Sequence, residues 1–399
     1  YWEPIRSHED QRPVSELQEE LREELLESIR LRLRADVPIG AFLSGGIDST
    51  VIVGLMQELL PHPTKTFTMG FEDIDYDETP FAKQAAEHLG SEHYELVVDP
   101  ASANLLPTLT WHFDEPFGDS SAIPTFGLAK ATRAHVKVAF TGDGGDEIFS
   151  GYPRYRTIER LQQFDRLPRM VRSLLATPAW QMLPGEDGQS AVMARLRFRM
   201  GILGQDSDSR YIHWISHFQE SRLARLLSKN FQQQIFERSD EKIHRAFQVS
   251  KRSPGTRAMQ CDLQTYLPDD LLAKVDITSM AHGLECRSPF LDHHVVEKAL
   301  AIPFAHHLDR TVVKPMLTRT FSRLIPKRLQ RRGKQGFSVP LDAWFRGELH
   351  SMAQDLLLSG PGAERWYFQP GAVASLISEH CSGKWNHGEK LWMLLCLEQ

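Results

Sequence analysis

Ser44-Gly45-Gly46-Ile47-Asp48-Ser49 is the stretch of this chain best suited to chemistry. The apolar run at residues 39–43 leads into it and reads as a buried strand. Val51, Ile52, Leu55, Met56 and Leu59 follow at helical spacing. A strand, a glycine turn and a helix N-terminus make an anion site, because the helix offers N–H groups that it does not use internally. The two glycines let the backbone bend and bring those groups close to a phosphate. Asp48 inside the turn would repel a phosphate unless a metal ion stands between them. The combination predicts a nucleotide held by backbone amides, with its pyrophosphate bridged through magnesium. The turn lacks the lysine of the Walker loop and the G-x-G-x-x-G of dinucleotide folds.

A second cluster, Gly142-Asp143-Gly144-Gly145-Asp146-Glu147, follows an apolar run at residues 136–141. Capping of the next helix accounts for one of its three acids. Carboxylates so crowded repel one another unless a cation or a cationic substrate neutralises them. With Asp48 at a neighbouring strand end, Asp146 would complete a magnesium site. The acidic stretch at residues 69–78 reads mainly as a solvated loop and a helix start, with Met69 and Gly70 placed to flank an adenine ring.

These residues need a frame to hold them. Strand-like runs at residues 39–43, 65–70, 93–98 and 136–141 alternate with helical patterns at 51–60, 78–89 and 123–134. Such alternation predicts an α/β fold: a parallel sheet with helices on both faces and ligands at the carboxyl ends of the strands. Upstream, Ser15 and Gln18 have capping-box spacing. Leu17, Leu21, Leu25, Ile29 and Leu33 then recur every fourth residue along one helix face. Residues 158–272 read as mostly helical, with a surface loop at 184–188 and an ordinary amphipathic face at Arg195, Arg197 and Arg199. The expected organisation is one unit: a nucleotide core over residues 1–155 and a long helical continuation over 156–399.

The turn resembles the pyrophosphate loop (PP-loop) of ATP pyrophosphatases, which split ATP between its α and β phosphates. The wider chain resembles the synthetase domain of glutamine-hydrolysing asparagine synthetases, in the adenine nucleotide alpha hydrolase-like fold. The match starts at Asp36-Val37-Pro38-Ile39-Gly40 and includes the cluster from Gly142 to Tyr152. It continues through Tyr266-Leu267-Pro268-Asp269-Asp270 to Asp276, then Gly283-Leu284-Glu285-Cys286-Arg287-Ser288 to Asp292, and ends at residues 333–338. The resemblance implies adenylation of aspartate by ATP and attack of ammonia on the aspartyl-AMP, with AMP and pyrophosphate released. By the same resemblance Ser44, Gly45, Gly46, Asp48 and Ser49 cradle the pyrophosphate, and Asp48 and Asp146 hold Mg2+. Phe42 and Met69 meet the adenine, and Thr141 and Gly142 form the other ATP-contacting strand end. Asp143, Glu147 and Lys334 are the implied catalytic residues, Lys334 beside the phosphates. The run Lys327, Arg328, Arg331, Arg332 adds positive charge there, and most of these residues read as a solvated basic loop.

Asp143 stands where many members of the family carry Glu, which withdraws the carboxylate by about 1.5 Å, one carbon–carbon bond. The alternative function is therefore a related amidotransferase or cyclase that adenylates another carboxylate: a surface-polysaccharide sugar acid, or a β-lactam or lasso-peptide precursor. No Cys precedes Cys261, so the N-terminal cysteine nucleophile of a glutaminase domain is absent from the sequence. The start at Tyr1 fits a cut between that domain and this one, and the intact protein is expected to carry it upstream and to supply ammonia from it. A homodimer is the expected assembly, if any.

With 46 basic against 52 acidic residues, the net charge of -6 gives no pull toward nucleic acid or anionic membrane. No run reaches 18 apolar residues and no secretory leader pattern opens the chain, so neither a spanning helix nor export is expected. The four cysteines form no CxxC pair, which predicts free thiols in a reducing compartment, the cytoplasm.

Overall fold

The computed structural model describes residues 2–4, 8–70, 77–97, 105–176, 198–218, 220–235, 240–332, 339–359, 367–383 and 385–399. The expected loop at 184–188, Arg195, Arg197 and most of the acidic stretch at 71–76 lie outside these residues. The chain forms two compact units, each discontinuous in sequence. The first comprises Tyr1–Ser102, Ser121–Arg156 and Ala246–Val339; the second comprises Ala103–Ser120, Thr157–Arg245 and Pro340–Gln399.

The first unit is built on five parallel strands. In chain order its elements are α1 (Val14–Arg32), β1 (Ile39–Phe42), α2 (Ile47–Leu59), β2 (Lys65–Gly70), α3 (Thr79–Leu89) and β3 (Glu92–Val97). They continue with α4 (Ala122–Arg133), β4 (Val138–Phe140), α5 (Gly145–Ile148), α6 (Pro254–Gln264), α7 (Ala273–Met280), β5 (Glu285–Arg287), α8 (His293–Ala301) and α9 (Pro315–Thr320). The sheet order is β3-β2-β1-β4-β5. Parallel neighbours cannot be joined by a hairpin, so each return crosses a sheet face as a helix and buries it. Ala41, Phe67, Ala139 and Phe140 are accordingly sealed from solvent. From β1 the chain walks outward to β3, then returns to the other side of β1 to lay down β4 and β5. The crevice past the carboxyl ends of β1 and β4 is thus the topological switch point where such sheets bind ligands.

The apolar stripe of α1 is as expected: Leu17, Leu21, Leu25 and Ile29 are buried, and Leu33 lies just past the helix, half-buried. The capping box is not formed. α1 starts two residues earlier than that box requires, with Pro13 and not Ser15 at its N-cap and no side-chain cap bond. The Pro13 carbonyl takes the Glu16 and Leu17 N–H groups instead, because the fixed φ of proline already starts the turn. β4 is shorter than the apolar run at 136–141, since the Val136 N–H is spent on the Thr132 carbonyl at the end of α4. α2 begins at Ile47, four residues before the apolar periodicity declares it.

The second unit is helical where described, with helices such as Leu106–Phe113, Ser207–Ile215, Ala372–Cys381 and Gly388–Glu398. Arg210 is fully buried there, bound to Asp165 at 2.6 Å and donating to the Ile202 and Leu203 carbonyls. A buried guanidinium persists only when its donors are met in this way. Among the described residues no helix is long and apolar enough to cross a membrane.

His307, in the first unit, is wholly buried near Phe304. Burial, and then the charges of Arg252 and Arg156, push its pKa down to about 3. A group depressed on folding stabilises the fold above its unfolded pKa, near 6.5 for histidine, and loses that contribution as pH falls. The stability of the first unit is expected to decline on this account by up to about 1.4 kcal/mol per pH unit below pH 6.5. Thermal unfolding followed from pH 7 to pH 4 should give a shallower acid slope for His307→Leu than for the wild type. Equal slopes would refute this assignment.

Candidate active site

β1 ends at Phe42, Leu43 makes one more ladder bond to Phe67, and the chain then turns through Ser44, Gly45 and Gly46 into α2. Local bonds shape the turn. The Gly46 N–H donates to the Ser44 hydroxyl at 3.3 Å, and the Ser44 N–H donates to the Ser49 hydroxyl at 3.3 Å. The Thr50 hydroxyl donates to the Gly46 carbonyl at 2.6 Å. Gly45 sits at φ 70°, and a Cβ there would overlap the Phe81 carbonyl and stand 2.7 Å from the Ala82 nitrogen. The turn is therefore seated on the backbone of α3. Ser44, Gly45, Gly46 and the first turn of α2 line a cavity of about 300 Å³, within the size range of small-molecule sites.

Asp48, in that first turn, and Asp146, in the first turn of α5, converge on the ammonium of Lys314. Lys314 Nζ binds Asp48 Oδ2 and lies 2.7 Å from Asp146 Oδ1. Burial alone would lower the Lys314 pKa, but the Asp146 and Asp48 carboxylates outweigh it and hold the pKa above the ordinary lysine value. Lys314 also has a left-handed backbone, φ 48°, directly before Pro315. A non-glycine residue in that region costs roughly 1–3 kcal/mol and persists where its surroundings demand it. The close fit around this bridge explains Gly145 of the second cluster and Gly151 just after it. A Cβ on Gly145 would stand 2.6 Å from Asp48 Oδ1, and one on Gly151 would overlap Asp146 and Lys314.

Phe42 and Met69 line the same cavity from the ends of β1 and β2, and Met69 packs with Leu128 of α4. Thr141 and Gly142 line it from the end of β4, where the Thr141 hydroxyl meets the Ser288 hydroxyl at 2.7 Å. Asp143 is half-buried on the cavity wall. Glu147 is placed differently: it is 1% exposed, accepts the Tyr152 hydroxyl at 2.7 Å and is not among the cavity-lining residues described. Burial, then Glu147 and Asp146, raise the Tyr152 hydroxyl well above the usual tyrosine pKa, so it stays a donor. Lys334 lies outside the described residues.

The three cations among the described cavity-lining residues have no counterpart among the sequence-based candidates. Lys314 stands alone between Val313 and Pro315, and no local pattern marks it. Lys274, on α7, is buried and reaches the Ser121 hydroxyl at 2.7 Å. Arg332 is a correction to the reading of its run as solvated. Its side chain is 12% exposed and bound to Glu78, whereas Lys327, Arg328 and Arg331 are exposed as expected.

The donor set fits magnesium. One ammonium facing two carboxylates leaves excess negative charge, and the oxygens of Asp48 and Asp146 are the hard donors that magnesium takes one or two at a time alongside substrate phosphates. Among the described residues no group of three or more acids, histidines or cysteines gathers as a closed metal cage.

A parallel sheet whose switch point carries a glycine turn, a helix N-terminus and a lysine-bridged acid pair makes the first unit an α/β domain of the PP-loop-like kind. The Asparagine synthase family matches residues 20–399, and the chain belongs to that family. Asparagine synthetase (glutamine-hydrolyzing) 1 of Bacillus subtilis (strain 168) is 34% identical over 397 residues, 99% of this chain and 60% of that protein. A putative asparagine synthetase (glutamine-hydrolyzing) of Mycobacterium tuberculosis (strain H37Rv) is 33% identical over 394 residues, 98% of this chain and 58% of that protein. Amidase chyE of Penicillium rubens is 28% identical over 411 residues, covering 90% and 58%. The chain thus spans 58–60% of the length of these relatives.

Proposed function

We propose that this chain adenylates the side-chain carboxylate of aspartate with ATP and transfers the acyl group to ammonia, giving asparagine, AMP and pyrophosphate. The observation that carries the reading is the Asp48–Lys314–Asp146 bridge at the N-terminus of α2. A buried cation beside first-turn amides is what a departing pyrophosphate needs, which supports the reading. A carboxylate oxygen is a poor leaving group for ammonia to displace. Its attack on the α-phosphorus, with cleavage of the α–β bridging bond, converts it to an acyl phosphate ester with AMP as leaving group. Ammonia then adds to the acyl carbon, loses a proton, and AMP departs.

Each residue has a role in this scheme. Lys314 and the first turn of α2, together with Ser44, Gly45, Gly46 and Ser49, oppose the charge that grows on the departing pyrophosphate. Asp48 and Asp146 would hold magnesium, which when bound neutralises phosphate charge. Lys334 joins them through the family resemblance. Phe42 and Met69 flank the adenine, and Thr141 and Gly142 border the nucleotide. Asp143, on the cavity wall, is the carboxylate placed to orient ammonia or take its proton. Glu147, buried behind Tyr152, supports the loop. The greater length of the relatives named glutamine-hydrolyzing supports ammonia delivery from a glutaminase domain in the intact protein. The four free cysteines suit the cytoplasm.

A second reading keeps the adenylation and changes the acceptor. The fungal relatives named amidases and the Asp143 variant favour it. Pyrophosphate release with ATP, magnesium and ammonium, measured across a panel of carboxylates, separates the two. Release that requires aspartate and yields asparagine with AMP is expected. Release with another acid alone moves the chain to the second reading, and release with none rejects both.

A further inference from the structure

Glu78, Phe81 and Arg332 come together beneath the PP-loop. Arg332 Nη2 lies 2.8 Å from Glu78 Oε1, and Nη1 donates to the Ser44 carbonyl at 3.3 Å. Its guanidinium carbon stands 4.0 Å from the centre of the Phe81 ring. Both charged side chains are largely buried, 12% and 9% exposed. Two of its nitrogens and one face are thus engaged inside the protein. We propose that Glu78 and Arg332 form a fixed platform that aims the PP-loop amides, which makes Arg332 a positioning residue and not a phosphate ligand.

The argument follows the peptide plane. The Ser44 C=O and the Gly45 N–H belong to one trans peptide and point in opposite directions. A guanidinium that holds the carbonyl on the Glu78 side turns the Gly45 N–H to the opposite side. Gly45 cannot shift toward α3 to swing this peptide round, because the backbone of Phe81 and Ala82 already fills the space that a Cβ on Gly45 would take. Glu78 keeps Arg332 in place: without that carboxylate, a cation lining the cavity would be drawn toward any phosphate that entered. Preorganised amides stabilise developing charge because they need no reorganisation as it appears.

The inference rests on the reading that ATP phosphates occupy this loop. It is tested by calorimetric binding of Mg·ATP and of inorganic pyrophosphate to the wild type, Glu78→Gln, Arg332→Met and Arg332→Lys. Steady-state KM values for ATP and aspartate and melting temperatures complete the set. Glu78→Gln makes the cavity more positive, so a direct phosphate role for Arg332 requires equal or tighter ATP binding. The platform requires the reverse: at least tenfold weaker ATP and pyrophosphate binding, with KM for aspartate unchanged. Arg332→Met should lose more, and Arg332→Lys, which can reach one partner at a time, should recover part. If Glu78→Gln does not fold, Glu78→Asp keeps the charge and withdraws the carboxylate by one methylene, and the platform still requires weaker ATP binding. Variants that bind ATP as the wild type does overturn the inference alone. A wild type that binds neither ATP nor pyrophosphate overturns the reading beneath it as well.

Discussion

Replacing Lys314 by methionine is expected to lower kcat/KM for ATP by roughly three orders of magnitude, the scale of losing one preorganised charge partner in a transition state. The same change should destabilise the first unit by about 3–5 kcal/mol, as when one member of a buried ion pair is removed. The two effects have one origin. Methionine preserves most of the side-chain volume, so the loss is of charge, and the Asp48 and Asp146 carboxylates are left facing each other. Removing one of those acids in the same chain should restore part of the stability while activity stays lost. The double variant Asp48→Asn/Lys314→Met is therefore expected to melt above Lys314→Met and to release no more pyrophosphate. Magnesium should raise the melting temperature of Lys314→Met more than that of the wild type, because the metal would supply the missing positive charge between two hard oxygen donors. A Lys314→Met enzyme with wild-type kcat/KM would refute the role assigned to this lysine.

Lys314 also marks the limit of what the sequence can show. β1 is legible because Ile39-Gly40-Ala41-Phe42 is an apolar run that ends in a turn, and β2 and β3 because apolar residues recur at every second position, Phe67 and Met69 in one, Tyr94 and Leu96 in the other. The turn at Ser44 is legible because strand, glycines and helix are contiguous. β5 is not, because Glu285-Cys286-Arg287 carries a single apolar residue and owes its strand to pairing with β4. The crowding of acids does tell a reader that a cation is needed. It does not say that a lysine 266 residues beyond Asp48 provides one, because charge pairing between distant segments leaves no local spacing. Arg332 sits in a basic run whose composition describes its neighbours correctly and Arg332 wrongly. Spacing alone sets Asp146 apart for a metal but does not separate Asp143 from Glu147. Once the short helix α5 starts after Gly144, Asp143, Asp146 and Glu147 face a cavity wall, an ammonium and a buried tyrosine respectively.

The two glycines of the PP-loop are alike in sequence, yet substitution should separate them sharply. Gly46→Ala is expected to bind ATP within a few-fold of the wild type. Its φ is −71°, ordinary for any residue, and the nearest obstacle to a Cβ is the Ser44 hydroxyl at 3.2 Å, which can rotate. Gly45→Ala meets two barriers. Its φ of 70° costs a side-chain-bearing residue roughly 1–2 kcal/mol. Its Cβ also falls onto the backbone of Phe81 and Ala82, and α3 cannot retreat because Ala82, Ala85 and Ala86 are packed in the core. The loop itself must then lift, which moves its amides away from the phosphates. A displacement of that kind, about 1 Å, costs on the order of a hundredfold in a positioned reaction. ATP affinity and pyrophosphate release should both fall by about that factor in Gly45→Ala, with a melting temperature only a few degrees lower. Equal effects at the two positions would mean that the loop is held by chain flexibility and not by its seat on α3.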